Sequence, residues 1–377
     1  MSNNATTPAA TGDAPSPTVA QAPPAVAAGD QDILAADDFS DDDGSSISHQ
    51  SLTSSTASVT SSILDYRKEN GRTYHAYKDG KYVLPNDDQE HDRLDLQHNM
   101  FIRSFDDRLG TAPPNDLGAK VGRVLDVGTG SGIWAIDFGD DHPEADITGV
   151  DLSPVPTDFV PPNVKFEVDD IEEPWTFSRP FDYIHSRLMT GSIGNWERYL
   201  RQCYNNLNPG GYLELNEGDI MPLSDDGTLT KDHSLHKAVS LWMEAMAILG
   251  SPFEDVSRLE GLMKDVGFED VHLTYYKWPT NPWAKDQKHK ELGLWNYENF
   301  APNWEGFLMA SLTRSLGWTR EEVLILAMET RKDFGNRNIH AYLRMLSIYG
   351  RKPLKVEEEA PPADPESPAA AAASPSE

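Results

Sequence analysis

The run Val124-Leu125-Asp126-Val127-Gly128-Thr129-Gly130-Ser131-Gly132 sets a carboxylate two residues ahead of three glycines at alternate positions. It lies between an apolar stretch and the helical pattern Ile133-Trp134-Ala135-Ile136-Asp137-Phe138. Glycines at that spacing let the backbone turn sharply and admit a ligand with no Cβ in the way. A helix starting there points unsatisfied N–H groups back at it. Asp126 is a poor neighbour for a pyrophosphate and a good one for a cationic or amine-bearing ligand. A second acid, Asp151, closes the next apolar strand, Ile147–Val150, 25 residues further on. A carboxylate at such a place accepts hydrogen bonds from ribose hydroxyls. The competing dinucleotide pattern, G-x-G-x-x-G, needs glycine where Ile133 stands. Two acids flanking a glycine turn therefore point to an adenosyl-type ligand.

This D-x-G-x-G-x-G run after a strand resembles motif I of the S-adenosylmethionine-dependent methyltransferases. Ahead of it lie Tyr66-Arg67-Lys68-Glu69-Asn70-Gly71-Arg72-Thr73-Tyr74-His75-Ala76-Tyr77, then Gly80-Lys81-Tyr82-Val83-Leu84-Pro85-Asn86-Asp87, then a helical stretch carrying Glu90, Arg93, Leu94, Gln97 and His98. With Asn208-Pro209-Gly210-Gly211-Tyr212-Leu213-Glu214, these segments resemble the fungal LaeA-type methyltransferases from about Tyr66 to Gly350. The resemblance implies S-adenosyl-L-methionine as cofactor, held by Asp126, Gly128, Gly130, Gly132 and Asp151. It implies that Asp169 or Asp170 accepts from the adenine amine, the other being a surface charge or helix cap. It also groups Tyr74, His75, Tyr77 and His98 as parts of a lid. Family members are tied to secondary metabolism, some as enzymes of one pathway and some as global regulators. A small-molecule acceptor and a regulatory role in a nuclear complex are thus the two functional expectations.

Methyl transfer from a sulfonium is an in-line displacement, for which positioning supplies much of the rate. No metal is needed, and the eleven histidines are scattered with no His-Glu-x-x-His pattern. His185 follows the expected fourth strand, at the edge where ligands bind in open α/β sheets. It is the candidate general base for a hydroxyl or amine; the alternative is a histidine packed beside the cofactor. Arg187 suits an acidic substrate, the cofactor carboxylate or a surface ion pair, and Glu217 is a second base candidate. Trp278, Trp283, Trp295, Tyr297, Phe300, Trp304 and Phe307 gather in one region. Helical spacing makes most of them core, leaving one or two to wall a pocket for a flat apolar acceptor.

Those residues need a scaffold. From Arg123 the pattern alternates strand-like and helix-like segments, as in a doubly wound α/β sheet. Strands are expected at Arg123–Val127, Asp146–Asp151, Val164–Val168, Phe181–His185, Tyr212–Leu215 and Val271–Lys277, with a closing strand within Ile339–Tyr349. Helices are expected at Gln89–Phe105, Ile133–Phe138, Gly194–Leu207, Leu235–Leu249, Val256–Val266 and Arg320–Phe334. An aromatic-rich helical insertion runs from Lys285 to Leu316, and Asn208–Gly211 reads as a stop and turn. The resemblance implies a Rossmann-like, seven-stranded class I methyltransferase sheet whose last strand is antiparallel.

The 377 residues carry a formal net charge of −29. Residues 1–66 hold nine acids and no Lys or Arg, and 356–377 hold six acids and no base, which leaves −14 between them. Both ends are poor in large apolar groups and cannot offset their ordering entropy. The expected organisation is a disordered acidic tail at 1–62, an N-terminal lid or helical segment at 63–122, a methyltransferase domain at 123–352 and a second acidic tail at 353–377. Such tails suit a protein partner, while the acidic balance argues against direct nucleic-acid binding. Cys203 is the only cysteine, which excludes a disulfide framework and a cysteine metal site. No apolar run reaches membrane-spanning length and no signal-peptide pattern opens the sequence. The expectation is a soluble protein away from membranes, in the cytoplasm or, on the regulatory reading, also the nucleus.

Overall fold

Asn70 and Gly71, both at positive φ (52° and 87°), close a two-residue hairpin between β1 (Arg67–Glu69) and β2 (Arg72–Tyr74), the turn geometry that right-twisted strands favour. Three-residue strands are too short to show alternation, so the pattern of the sequence does not announce them. The computed structural model describes residues 63–157 and 159–354, together with Leu34. Apart from Leu34, Pro353 and Leu354, the tails expected at 1–62 and 353–377 lie outside the described residues.

After the hairpin come α1 (Asp88–Ser104), β3 (Arg123–Val127), α2 (Ile133–Asp141), β4 (Asp146–Asp151), β5 (Val164–Val168), β6 (Phe181–Arg187), α3 (Trp196–Asn205) and β7 (Leu207–Gly218). They are followed by α4 (Ser234–Ile248), α5 (Leu259–Val266), β8 (Glu269–Pro279), α6 (Gln287–Phe300), α7 (Trp304–Leu316), α8 (Arg320–Gly335) and β9 (Tyr342–Arg351). One seven-stranded sheet forms in the order β5-β4-β3-β6-β7-β9-β8. The first five pair in parallel and β9 runs antiparallel to both neighbours, as the resemblance implies. Strand order reverses between β3 and β6, so the crevice that binds ligands in such sheets opens at their carboxyl ends.

The pleat divides the core. Val124 and Tyr183 pack with Trp134 and Phe138 of α2 on one face, while Leu125, Val127 and Ile184 pack with Leu200, Leu259 and Met263 on the other. A third cluster joins the N-terminal segment to the helices outside the sheet: Tyr74, Met100 and Phe101 meet Trp242, Leu292, Trp304, Phe307 and Phe334. That cluster lays α1 and the insertion over the carboxyl edge of the sheet.

Several element ends shift by one to three residues, and two expectations change outright. Pro302 cannot donate into a helix, so the insertion breaks at Ala301–Asn303 into α6 and α7. Asn208–Gly211 does not end before a short strand: β7 begins at Leu207 and runs through it, with a register shift between Phe181 and Tyr183 of β6. The irregular backbone, with Gly210 at φ 83°, is absorbed as a bulge. Among the described residues, no helix is long and apolar enough to cross a membrane.

Candidate functional site

A cavity of about 240 Å³ opens at the carboxyl edge of β3 and β6, lined by Asp126, Gly128, Gly130, Asp151, Asp169, Asp170, His185 and Arg187. Strand order had placed these residues at one edge, and tertiary packing gathers them. Gly132 does not line the cavity. It takes φ 82° as the chain enters α2, and a Cβ there would meet Val155 Cγ1 at 2.7 Å and Phe166 Cζ at 2.8 Å. Its part is to close the turn against β5. Gly132→Ala combines left-handed strain with that overlap and is expected to cost about 2–4 kcal/mol, read as a lower urea midpoint; an unchanged midpoint would show that the turn yields.

Asp126 and His185 face each other across the β3–β6 register. His185 Nδ1 donates to Asp126 Oδ1 at 2.8 Å, and Asp126 Oδ2 accepts from the Thr129 hydroxyl at 2.5 Å. His185 Nε2 meets Asn216 Nδ2 at 3.2 Å, and its ring stacks on Trp134 with centroids 3.7 Å apart and planes 8° from parallel. Only 1% exposed, His185 therefore has both nitrogens occupied and one ring face covered. Glu217 lies outside the cavity lining, accepting from the backbone N–H groups of Met189 and Thr190 at 2.9 and 3.0 Å. Burial pushes its carboxyl up to about 8, against the pull of those two amides. It pins the loop after β6, where Leu188 takes φ 52°.

Arg187 is different. Its guanidinium lines the cavity over the Phe101 ring (5.1 Å) and reaches His98 Nδ1 at 3.2 Å, while His98 Nε2 bonds Asp137 at 2.9 Å. Burial lowers it to about 10, with the charges of Asp126, Asp95 and Asp137 opposing, so it stays cationic at neutral pH.

At the β4 end, Asp151 accepts from Gly130 N–H at 2.9 Å and from Ser153 N–H at 3.1 Å. Burial raises its carboxyl above the ordinary value, and backbone donors at Gly130, Ser153 and Leu152 offset part of that rise. Asn86 Oδ1 and His91 Nδ1 are buried without a partner among the described residues, and both side chains line the same cavity. The two acids after β5 divide. Asp169 is exposed and caps its neighbour's N–H, whereas Asp170 is buried and bound to Lys81. Lys81 also lies 3.4 Å from Glu172, and Lys78 2.9 Å from Glu173. Two lysines thus fasten the strap Tyr77–Asn86 across the cavity. Of the residues grouped as a lid, His75 lines the cavity, Tyr74 is core and His98 serves Arg187; Tyr77 does not line it. Sequence reasoning missed Lys81, Asn86 and His91, for which no local pattern exists.

Away from the glycine turn the cavity becomes an aromatic chamber. Trp278, Phe300 and Phe307 come from the aromatic-rich region; Trp242 and Met246 of α4 and Phe253 after it complete the wall. Trp283, Trp295, Tyr297 and Trp304 do not line the cavity; Trp304 backs the wall, 5.7 Å from Phe300 and 5.9 Å from Phe307 between ring centroids. Overhead, Arg93 and Glu90 form a buried bidentate pair (3.0 and 2.7 Å), and Arg93 also donates to Asn299 at 2.9 Å. Among the described residues no group of His, Cys, Asp or Glu is placed to hold a metal.

Comparison with known proteins gives a consistent picture. Residues 96–273 match the family described as Methyltransferase domain. Methyltransferase pytC of Aspergillus terreus is 40% identical over 301 residues, 80% of this chain and 92% of that protein. Secondary metabolism regulator laeA of Aspergillus fumigatus is 35% identical over 294 residues, 76% of this chain and 77% of that protein. Protein-methionine methyltransferase laeA of Emericella nidulans is 34% identical over 297 residues, 77% of each.

Proposed function

Because the chain belongs to the methyltransferase family that includes pytC and the laeA proteins, we propose that it moves a methyl group from S-adenosyl-L-methionine to the oxygen or nitrogen of a small molecule. The observation that carries this reading is the aromatic chamber continuous with the glycine turn, a space suited to a flat compound.

The residues present fit the donor. Asp151, with Asn86 Oδ1 and His91 Nδ1 unpartnered nearby, offers acceptors to ribose hydroxyls. Gly128 and Gly130 leave the backbone open to close approach. Arg187 suits the methionine carboxylate, and Asp126 places negative charge near its amine and sulfonium. Asp169, exposed at the rim, is the acid left for the adenine amine, Asp170 being tied to Lys81. When bound, the donor would supply a methyl carbon activated by its sulfonium, with Asp151 and Arg187 holding its two ends and Asp126 beside the positive charge. His185 fixes Asp126 and is not free to serve as a base, since both its nitrogens are engaged.

The strap governs access. Lys81→Ala is expected to speed release of S-adenosylhomocysteine about threefold, the worth of a part-exposed ion pair, and 0.5 M salt to bring the unmutated chain towards the same rate. Stopped-flow displacement measures both; equal rates at all salt would leave the strap without a gating part.

The function itself is tested by incubating the purified chain with labelled S-adenosylmethionine and fungal extract. Label in the small-molecule fraction supports the reading, and label confined to protein overturns it. The laeA relatives, one a secondary metabolism regulator and one a protein-methionine methyltransferase, favour a second reading, a regulator; on it we infer that the acidic tails meet a protein partner in the nucleus. On that reading deletion of residues 1–62 abolishes partner capture and a tagged chain is nuclear; on the first, capture is unchanged and the chain is cytoplasmic.

A further inference from the structure

Three buried indole N–H groups have no partner among the described residues: those of Trp196, Trp242 and Trp304. Only Trp242 lines the cavity. The other indole of the chamber, Trp278, donates its N–H to the Ser104 hydroxyl at 2.8 Å. Trp242 is 4% exposed, stacks on Phe307 (centroids 5.4 Å, planes 19° apart) and takes Phe253 edge-on at 5.0 Å. Its ring is therefore fixed, and its donor stands unsatisfied in an apolar wall, a costly arrangement unless a ligand completes it.

The charges around it favour one kind of partner. Both oxygens of Glu90 are engaged by Arg93, which also lines the cavity and whose guanidinium lies 5.2 Å from the Phe307 centroid. A buried ion pair beside apolar rings contributes little as stability alone. Its free N–H groups, like that of Trp242, can only donate. An acceptor oxygen placed against the Trp242 N–H would be matched, where a cationic amine would meet another donor.

Resting on the methyltransferase reading above, we propose that the chamber selects planar aromatic compounds bearing a carbonyl oxygen, which accepts from Trp242 Nε1. Trp242 is then a specificity-determining residue that recognises the acceptor molecule away from the atom that is methylated.

Chromone and naphthalene, flat bicycles of similar size with and without a carbonyl, make the test. Their binding to the full-length chain is measured by calorimetry with and without S-adenosylhomocysteine. Trp242→Phe keeps a ring and removes the donor. It is expected to weaken chromone about five- to tenfold and naphthalene less than twofold. Equal losses, no loss for chromone, or failure of the unmutated chain to bind chromone overturn the proposal. Should the variant not fold, proton spectra of the unmutated chain decide: one indole N–H resonance moving downfield with chromone and not with naphthalene supports it, and none moving overturns it. S-adenosylhomocysteine binding is read separately, so loss of the cofactor reading and loss of this one give different results.

Discussion

Asp151→Ala is expected to weaken S-adenosylhomocysteine binding about a hundredfold. The carboxylate is proposed to accept from the ribose, and hydrogen bonds to a charged group contribute roughly 1.5–3 kcal/mol each. It also holds Gly130 N–H at 2.9 Å and Ser153 N–H at 3.1 Å, so its removal frees the turn against which the ligand lies. Removing two ribose hydrogen bonds of about 1.5 kcal/mol apiece gives about 3 kcal/mol, or roughly two orders of magnitude in Kd. Asp151→Asn retains one acceptor oxygen and is expected to weaken binding about tenfold. Calorimetric titration measures both. A change below threefold for the alanine variant would remove Asp151 from the ribose site, whatever its effect on folding.

Glu217→Gln is expected to flatten the pH dependence of stability. Burial raises the folded-state carboxyl to about 8 from an ordinary value of 4.5. Folding thus favours the protonated form: the contribution is fully present below pH 4.5 and is lost as pH rises through 8. The swing is on the order of 5 kcal/mol. Glutamine stays neutral throughout, but turns an NH2 towards one of the Met189 and Thr190 amides and so begins about 1–2 kcal/mol lower in acid. The two chains are expected to cross between about pH 5 and 6 and to differ most above about pH 8, where the glutamine variant is the more stable by about 3 kcal/mol, as followed by urea unfolding. Parallel curves would mean that Glu217 does not titrate in this range. The loop it pins, Leu188–Thr190, lines the cavity, so cofactor affinity should weaken with the same pH course in the unmutated chain.

Much of this architecture was legible in the sequence. The strands at Arg123–Val127, Asp146–Asp151 and Val164–Val168 fall at the expected residues, because each is a short run or alternation of β-branched and other apolar residues bounded by turn residues. The glycine turn announced itself because only glycine populates three alternate positive φ positions without strain. The insertion's division at Pro302 and the passage of β7 through Asn208–Gly211 were not legible, since a break and a bulge depend on what lies alongside.

The sequence by itself determined the residue types at the carboxyl ends of the strands, because alternation and turn chemistry are local properties of the chain. Only the tertiary structure decided their employment. It set His185 between Asp126 and Asn216 under Trp134, moved Gly132 from the cavity to the packing against Phe166, gave Asp170 to Lys81 from 89 residues away, and left the Trp242 N–H unmatched among aromatic rings. Each of those outcomes depends on which distant group arrives to satisfy a buried polar atom, and no spacing along the chain encodes that arrival.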